Sequence, residues 1–298
     1  MKKVSVITPT YKRSDYLCKA IDSVLSQTYT NIEVIVVDDN GNDSPFRKTT
    51  AETMKKYESD SRVKYIPLDK NCGGAMARNA GIEAATGDYI AFLDDDDEYL
   101  PEKLEVQVAE MEKNGWDASV MDGATYNEKE ELLSRKTQMI RNGMSHKELM
   151  VTHLMYHISG TNTFMFKSEA IRKIGGFMDI VACQEYMLML RALDGGLTIG
   201  YIDKTLIKNY IREGERLSSG EKKFIAEKIM YSHKKEHFSY LTFFQKRYIM
   251  CRHYGVLFYV QLKRKKYPSA LWNLSLAVLS SPKGAYGIYK DYKGKLMQ

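Results

Sequence analysis

The sequence predicts an α/β fold, a parallel sheet with helices on both faces, followed by a basic helical segment. Three observations lead there. Short β-branched runs alternate with helix-periodic stretches through the first part of the chain. The residues following the four strand-like runs are PTYKR, DDNGND, DKNCGG and DDDDEY, all polar or glycine-rich. In open α/β sheets the ligand lies outside the carboxyl ends of the strands, where the strand order reverses. Third, the chain turns basic late, in EKKFIAEK, SHKKEH, QKRY and LKRKKY.

Taken in order, VSVIT (4–8) is short and β-branched, as a buried strand should be. Ser14 can then cap a helix in which Leu17, Ala20, Ile21, Val24 and Leu25 follow helical spacing. IEVIVV (32–37) is a second strand, 47–58 a polar helix, VKYIPL (63–68) a third strand, and a helix lies near 74–85. YIAFL (89–93) is the fourth strand, and Pro101 opens a helix carrying Leu104, Val108 and Met111. Beyond that, ASVMDGATY and TNTFMF read as strands, and helices are expected near 146–157, 168–175 and 184–193. The middle helix ends at Gly175-Gly176, a plausible C-cap. From about 221 the chain is helical, basic and aromatic. The divisions expected are a main domain over 1–220, in two halves of about 1–115 and about 116–220, and a C-terminal segment over 221–298.

Composition is globular, 44% hydrophobic and 28% charged with a formal charge of +6. Cys18, Cys72, Cys183 and Cys251 lack metal-type spacing and read as reduced thiols of a cytosolic protein. No stretch reaches the roughly 18 apolar residues of a spanning helix. The expectation is therefore a cytoplasmic protein, with peripheral attachment to the inner face of the cell membrane left open.

Asp94 to Asp97 raise the sharpest question, because four like charges at a strand end repel one another. Along an extended chain Asp94 and Asp96 share a face opposite Asp95 and Asp97. Two carboxylates facing a crevice call for a cation, and magnesium or manganese binds one or two carboxylates together with substrate phosphates. Should Asp96 hold that cation, Asp97 is expected to matter much less. VVDDNGND places another acid, Asp39, where it can accept hydrogen bonds from a nucleotide. No G-x-G-x-x-G follows the first strand, which argues against a dehydrogenase.

VSVITPTYKRSDYLCKAIDSVLSQTYTNIEVIVVDDNGND, GGAMARNAGIEAATGDYIAFLDDDD and IGGF…QEYMLMLR together resemble the family 2 inverting nucleotide-sugar glycosyltransferases, over roughly residues 3–218. The resemblance implies a GT-A fold, a mixed, mostly parallel sheet flanked by helices, here with a C-terminal helical extension. It implies a metal-dependent hexosyltransferase using Mg2+ or Mn2+. Its partners would be a UDP-linked sugar donor and a glycan or lipid-linked glycan acceptor of bacterial surface-polysaccharide synthesis. Thr8, Pro9, Tyr11 and Arg13 would line the nucleotide, with Tyr11 near the base; Asp39 would read the uracil edge, and Arg78, Asp94 and Asp95 would lie about the nucleotide sugar. Asp96 would ligate the metal, and Glu185, after the Gly-Gly-Phe turn, would be the general base.

This sequence departs from the family pattern at two places. Relatives carry Glu-Asp or Gln-Asp where Gln184-Glu185 stands, which keeps Asp179 as an alternative base; relatives place a histidine where Arg212 could contact the diphosphate. A catalytically degenerate GT-A scaffold that binds sugar nucleotides is the alternative from outside enzymes. A sugar-phosphate nucleotidyltransferase would need a Gly-rich, Lys-containing loop after the first strand, and TPTYKR lacks it. The C-terminal basic clusters and aromatics carry no nucleic-acid motif and suit an anionic membrane surface.

Overall fold

The computed structural model describes residues 1–211 and 220–296. They fall into two compact units. The first contains Met1–His146, Ile158–Ile180 and residues 184–211; the second contains Lys147–His157, Val181–Cys183 and the helices from Gly220 onward.

The first unit is built on one nine-stranded sheet. Its parallel half comprises β1 (Val4–Thr10), β2 (Ile32–Asp38), β3 (Val63–Pro67) and β4 (Tyr89–Phe92), ordered β3-β2-β1-β4. The helices between them are α1 (Ser14–Leu25), α2 (Pro45–Met54) and α3 (Gly74–Ala84). The direction of winding reverses between β1 and β4, and that is where a crevice opens at the strand ends. The core under this half is apolar, with Leu17, Ala20, Ile21 and Val24 of α1 packed on Val4, Val6, Val34 and Val36. On α3, a Cβ at Gly81 would sit 2.4 Å from Cγ2 of Ile7. Glycine there lets α3 lie close against β1, which carries Arg78 of the same helix toward the strand ends.

Further elements follow β4 along the chain, and the strands among them extend the sheet. They are β5 (Glu98–Tyr99), α4 (Lys103–Asn114), β6 (Ala118–Tyr126), β7 (Leu132–Lys136), α5 (His146–Tyr156), β8 (Met165–Lys167), α6 (Ser168–Lys173), α7 (Gln184–Asp194) and β9 (Ile199–Tyr210). The sheet continues β4-β8-β6-β9-β5, with β7 on β6. β8 runs antiparallel to both β4 and β6, β7 to β6, and β5 to β9, while β6 and β9 pair in parallel over a long register. The sheet is thus mixed, and its longer registers are parallel.

Local details differ from expectation for physical reasons. Ser14 is the first helical residue, not the cap: Arg13 holds the capping position, and no side chain bonds there. TNTFMF is a strand only over its last part, because Thr161–Thr163 forms a 3-10 turn before β8. β5, β7 and β9 were not foreseen. β7 is exposed along its length, and β9 puts Asp203 and Lys204 at exposed positions, so neither shows an apolar alternation.

The second unit is helical: α8 (Gly220–Glu236), α9 (Phe243–Lys263), α10 (Tyr267–Ser280) and α11 (Pro282–Leu296), with most of α5. A capping box starts α9, Thr242 Oγ1 accepting from the Gln245 backbone and Gln245 Oε1 from the Thr242 backbone. Inside, Tyr231 stacks on His253 at 3.8 Å, and His253 Nδ1 lies 2.9 Å from Glu227 Oε1.

Candidate active site

The crevice between β1 and β4 holds the acidic run. Asp94 to Asp97 do not continue β4. They form a turn closed by the Asp97 amide donating to the Asp94 carbonyl at 3.2 Å. The inside-outside alternation expected of a strand nonetheless holds, with Asp95 and Asp97 buried and Asp94 and Asp96 half-buried. Thr10, at the end of β1, donates through Oγ1 to Asp95 Oδ2 at 2.7 Å, and the Tyr11 amide reaches the same oxygen at 3.4 Å. Arg13 Nη1 lies 2.5 Å from Asp96 Oδ2 and 3.7 Å from Asp95 Oδ1. Burial first, then the neighbouring Asp96 charge, pushes the Asp95 carboxyl up to about 7.

Arg78 joins this turn to a distant part of the chain. Its Nη2 meets Asp94 Oδ1 at 2.5 Å, while Nη1 donates to Gln184 Oε1 at 3.1 Å and to the Gly74 carbonyl at 3.2 Å. Gln184 in turn donates to the Ile180 carbonyl, so the start of α7 is tied on both sides. Glu185 occupies the first turn of α7 and is half-buried, whereas Tyr186 to Leu190 are buried in the core. The Glu185 charge acts on Lys136, whose ammonium is pushed down by burial and back up by Glu185, and which donates to Ser159 Oγ at 2.6 Å. Asp179 is exposed.

The Gly-Gly-Phe turn is held by α3. Asn79 accepts from the Phe177 amide and donates to the Phe177 carbonyl, both at 2.9 Å, and the Phe177 ring packs edge-on against Phe92 at 5.2 Å. Gly176 has φ +60, and a Cβ there would meet Asn79 Oδ1 at 2.5 Å, so the turn requires glycine on both counts.

The paired acids ending β2 organise the neighbouring loops. Asp38 is fully buried, ion-paired to Arg47 at 2.8 Å and bonded by Tyr65 Oη at 2.5 Å. Asp39 accepts from the Cys72 amide at 2.6 Å on Oδ1, and from Asn71 Nδ2 and the Gly73 amide on Oδ2. It thereby ties β2 to the loop entering α3, and Oδ1 keeps one acceptor position. Burial raises its carboxyl against the two amide bonds that lower it. Thr8 is buried with no hydrogen-bond partner for Oγ1 among the described residues, and Pro9 beside it is half-buried. Tyr11 is exposed, and the Lys12 ammonium lies 4.9 Å from its ring and 5.6 Å from that of Phe46. Arg212 lies outside the described residues.

Sequence reasoning missed Asp38, Lys136 and, above all, Asn162. Asn162 Oδ1 accepts from the Asp94 amide at 2.9 Å, while Nδ2 donates to Asp97 Oδ2 and, at 3.0 Å, to Asn209 Oδ1. The Tyr210 amide donates to the other Asp97 oxygen at 2.8 Å. Asp97 is thus a buried anchor, and the expectation of a mild Asp97 substitution is revised: its cost falls on stability. No local pattern in TNT announces this, because the partners are far away in sequence. Asn162→Ala should lower unfolding stability by about 1–3 kcal/mol by leaving buried groups unpaired. Denaturant titration checks it, and an unchanged midpoint would mean the clamp is dispensable.

At 20% identity the chain superposes on S. aureus TarS 1–349 in complex with UDP-GlcNAc with a TM-score of 0.68, covering 96% of this chain and 83% of that one, so the GT-A fold is shared. An uncharacterized glycosyltransferase of Methanocaldococcus jannaschii is 30% identical over 225 residues, 74% of each chain. The Escherichia coli UDP-Glc:alpha-D-GlcNAc-diphosphoundecaprenol beta-1,3-glucosyltransferase WfgD is 40% identical over 111 residues, 37% of this chain and 42% of that protein. Matches to Rickettsia glycosyltransferases span about a fifth of those proteins' length. Residues 5–175, which include the acid turn, Arg78 and the start of the Gly-Gly-Phe turn, match the model of Glycosyl transferase family 2, and the chain belongs to that family.

Proposed function

We propose that the protein is an inverting glycosyltransferase moving a sugar from a UDP-linked donor to a hydroxyl of a glycan or lipid-linked glycan, in cell-surface polysaccharide synthesis. The observation that carries this is the double contact of Arg78. One guanidinium holds both Asp94 of the acid turn and Gln184, so the helix start bearing Glu185 stands one side chain from the place where a diphosphate would sit. The names of two relatives support the substrate class, since WfgD pairs UDP-Glc with a diphosphoundecaprenol-linked acceptor and TarS is in complex with UDP-GlcNAc.

Magnesium or manganese fits the residues present. No cluster of three His, Cys, Asp or Glu with metal-holding geometry occurs among the described residues. These ions, however, need only one or two carboxylates and complete their shell with water and phosphates. The hard oxygens of half-buried Asp94 and Asp96 are that donor set, with Asp96 the proposed ligand. An ion held there would supply neutralisation of the charge on the departing nucleotide diphosphate.

The chain's own residues do the rest. Tyr11 faces the base, Asp39 accepts a hydrogen bond from it, and Arg13 and Arg78 face the diphosphate. Glu185 takes the proton of the acceptor hydroxyl as its oxygen attacks the anomeric carbon. The bond from that carbon to the diphosphate breaks on the opposite face, its electron pair leaving with the phosphate oxygen, and the anomeric configuration inverts. Asp179 is the proposed substitute should Glu185 not serve, but it is exposed.

A thermal-shift screen of UDP-, GDP- and dTDP-sugars, with and without manganese, tests the reading. UDP-sugars should raise the melting temperature by several degrees at saturating concentration, more with manganese. NMR of the product should show an anomeric configuration opposite to the donor's. A protein indifferent to all three donors, or a product of retained configuration, overturns it; donor binding without transfer leaves the degenerate scaffold.

A further inference from the structure

Helix α10, YPSALWNLSLAVLS, carries no charged side chain. Yet the residues it buries are only Ala270, Ala277 and Ser280, small ones that let it lie close against its neighbour. Leu271, Trp272, Val278 and Leu279 are exposed, Trp272 at 66% and Leu279 at 69%. Positions 271 and 278, like 272 and 279, stand seven residues apart and so share one face. Arg247 donates to the Leu279 carbonyl, which brings the start of α9 to the end of this stripe, with Phe243 and Phe244 exposed at 68% and 80%.

The charge around the stripe has one sign. Between Glu236 and Asp291 the chain contains no acidic residue. Lys263, Arg264, Lys265 and Lys266 precede α10 directly, and the exposed Lys283 follows it. At about 1.5 Å per residue the helix is about 21 Å long, and no helix among the described residues is long and apolar enough to cross a membrane. An uncharged exposed face with cations at both ends matches an interfacial helix, apolar side chains at the acyl boundary and lysines at the phosphates. A second copy is a poor occupant, because a two-fold interface would set two all-basic rims together with no acid between Glu236 and Asp291 to answer them.

We infer that the exposed face of α10, with Phe243 and Phe244, docks the protein on an anionic lipid bilayer, α10 lying parallel to the surface. The inference deepens the reading of a lipid-linked acceptor and rests on it for its purpose. It also sorts the aromatics offered by the sequence: Tyr231 is taken up by His253, whereas Phe243, Phe244 and Trp272 face outward.

The test uses the full chain and vesicles of phosphatidylcholine with or without phosphatidylglycerol. Sedimentation should require phosphatidylglycerol and fall at high salt. Trp272→Ser with Leu279→Ser should abolish it at an unchanged melting temperature. Lys263→Gln and Lys265→Gln should each weaken partitioning about fivefold. With Trp116→Phe removing the other tryptophan, brominated acyl chains should quench the emission of Trp272. Failure to bind anionic vesicles at low salt, or binding indifferent to these variants, overturns the inference. So does a dimer in solution dissolved by Trp272→Ser, which would assign the face to a second copy. Sugar-nucleotide binding measured without vesicles is scored separately, so failure of the transferase reading remains distinguishable.

Discussion

Glu185→Gln should lower turnover by about 10²–10⁴-fold while donor affinity stays unchanged, because glutamine keeps the shape and loses the basicity. The expectation follows from position. Glu185 sits in the first turn of α7, whose next residues are buried, so the helix cannot rotate to offer another side chain in its place. Gln184, tied to Arg78 and to the Ile180 carbonyl, fixes the helix start. Glu185→Asp shortens the reach by one methylene and should keep part of the rate. Turnover with a competent acceptor and donor affinity by calorimetry together decide the matter. Normal turnover in Glu185→Gln would move the base to Asp179 or elsewhere, and loss of donor affinity would make Glu185 a binding residue.

Asp96→Ala is the second large effect, a loss of transfer of about a thousandfold, corresponding to the several kcal/mol a metal supplies to a departing diphosphate. The fold should survive, because Asp96 is half-buried at the sheet's rim and its partner Arg13 is exposed enough to find water. Chelation of the wild-type protein should mimic the substitution, and added manganese should rescue the wild type but not the variant. Asp97→Ala serves as the contrast. It removes the acceptor for Asn162 and for the Tyr210 amide, so its melting temperature should fall where that of Asp96→Ala does not. Full activity in chelator, or equal stability losses from both variants, would sink the metal assignment.

The parallel half of the sheet was legible because its signals are local. Buried strands such as IEVIVV announce themselves by β-branching, and α1 by its spacing of Leu17, Ala20, Ile21 and Val24. Strand ends then locate the crevice, which is why Arg13 and the acid turn were found; Arg78, on α3, was pointed out by the family resemblance, and both arginines reach the acid turn. The rest was written in long-range pairing. β9 alternates poorly because its residues serve two neighbours and solvent, β6 on one side and β5 on the other. Asn162 sits in a three-residue turn with no periodicity, and Lys136 on an exposed strand, so neither could be told from an ordinary polar residue. Asp39 was singled out for a ligand, and the structure places most of its hydrogen-bonding capacity on the loop at 71–73.

The anchoring of Asp97 by the Tyr210 amide bears on how the protein comes to be active as it leaves the ribosome. The acid turn is synthesised early, but its last hydrogen bond comes from the far end of β9, more than a hundred residues later. Such distant contacts form only after the intervening loop has closed. A nascent chain halted near residue 175 would hold every residue of the matched family region and still lack this bond. The turn is therefore complete only once translation has passed Tyr210, so a growing chain cannot hold it in its finished geometry while the end of β9 remains in the exit tunnel.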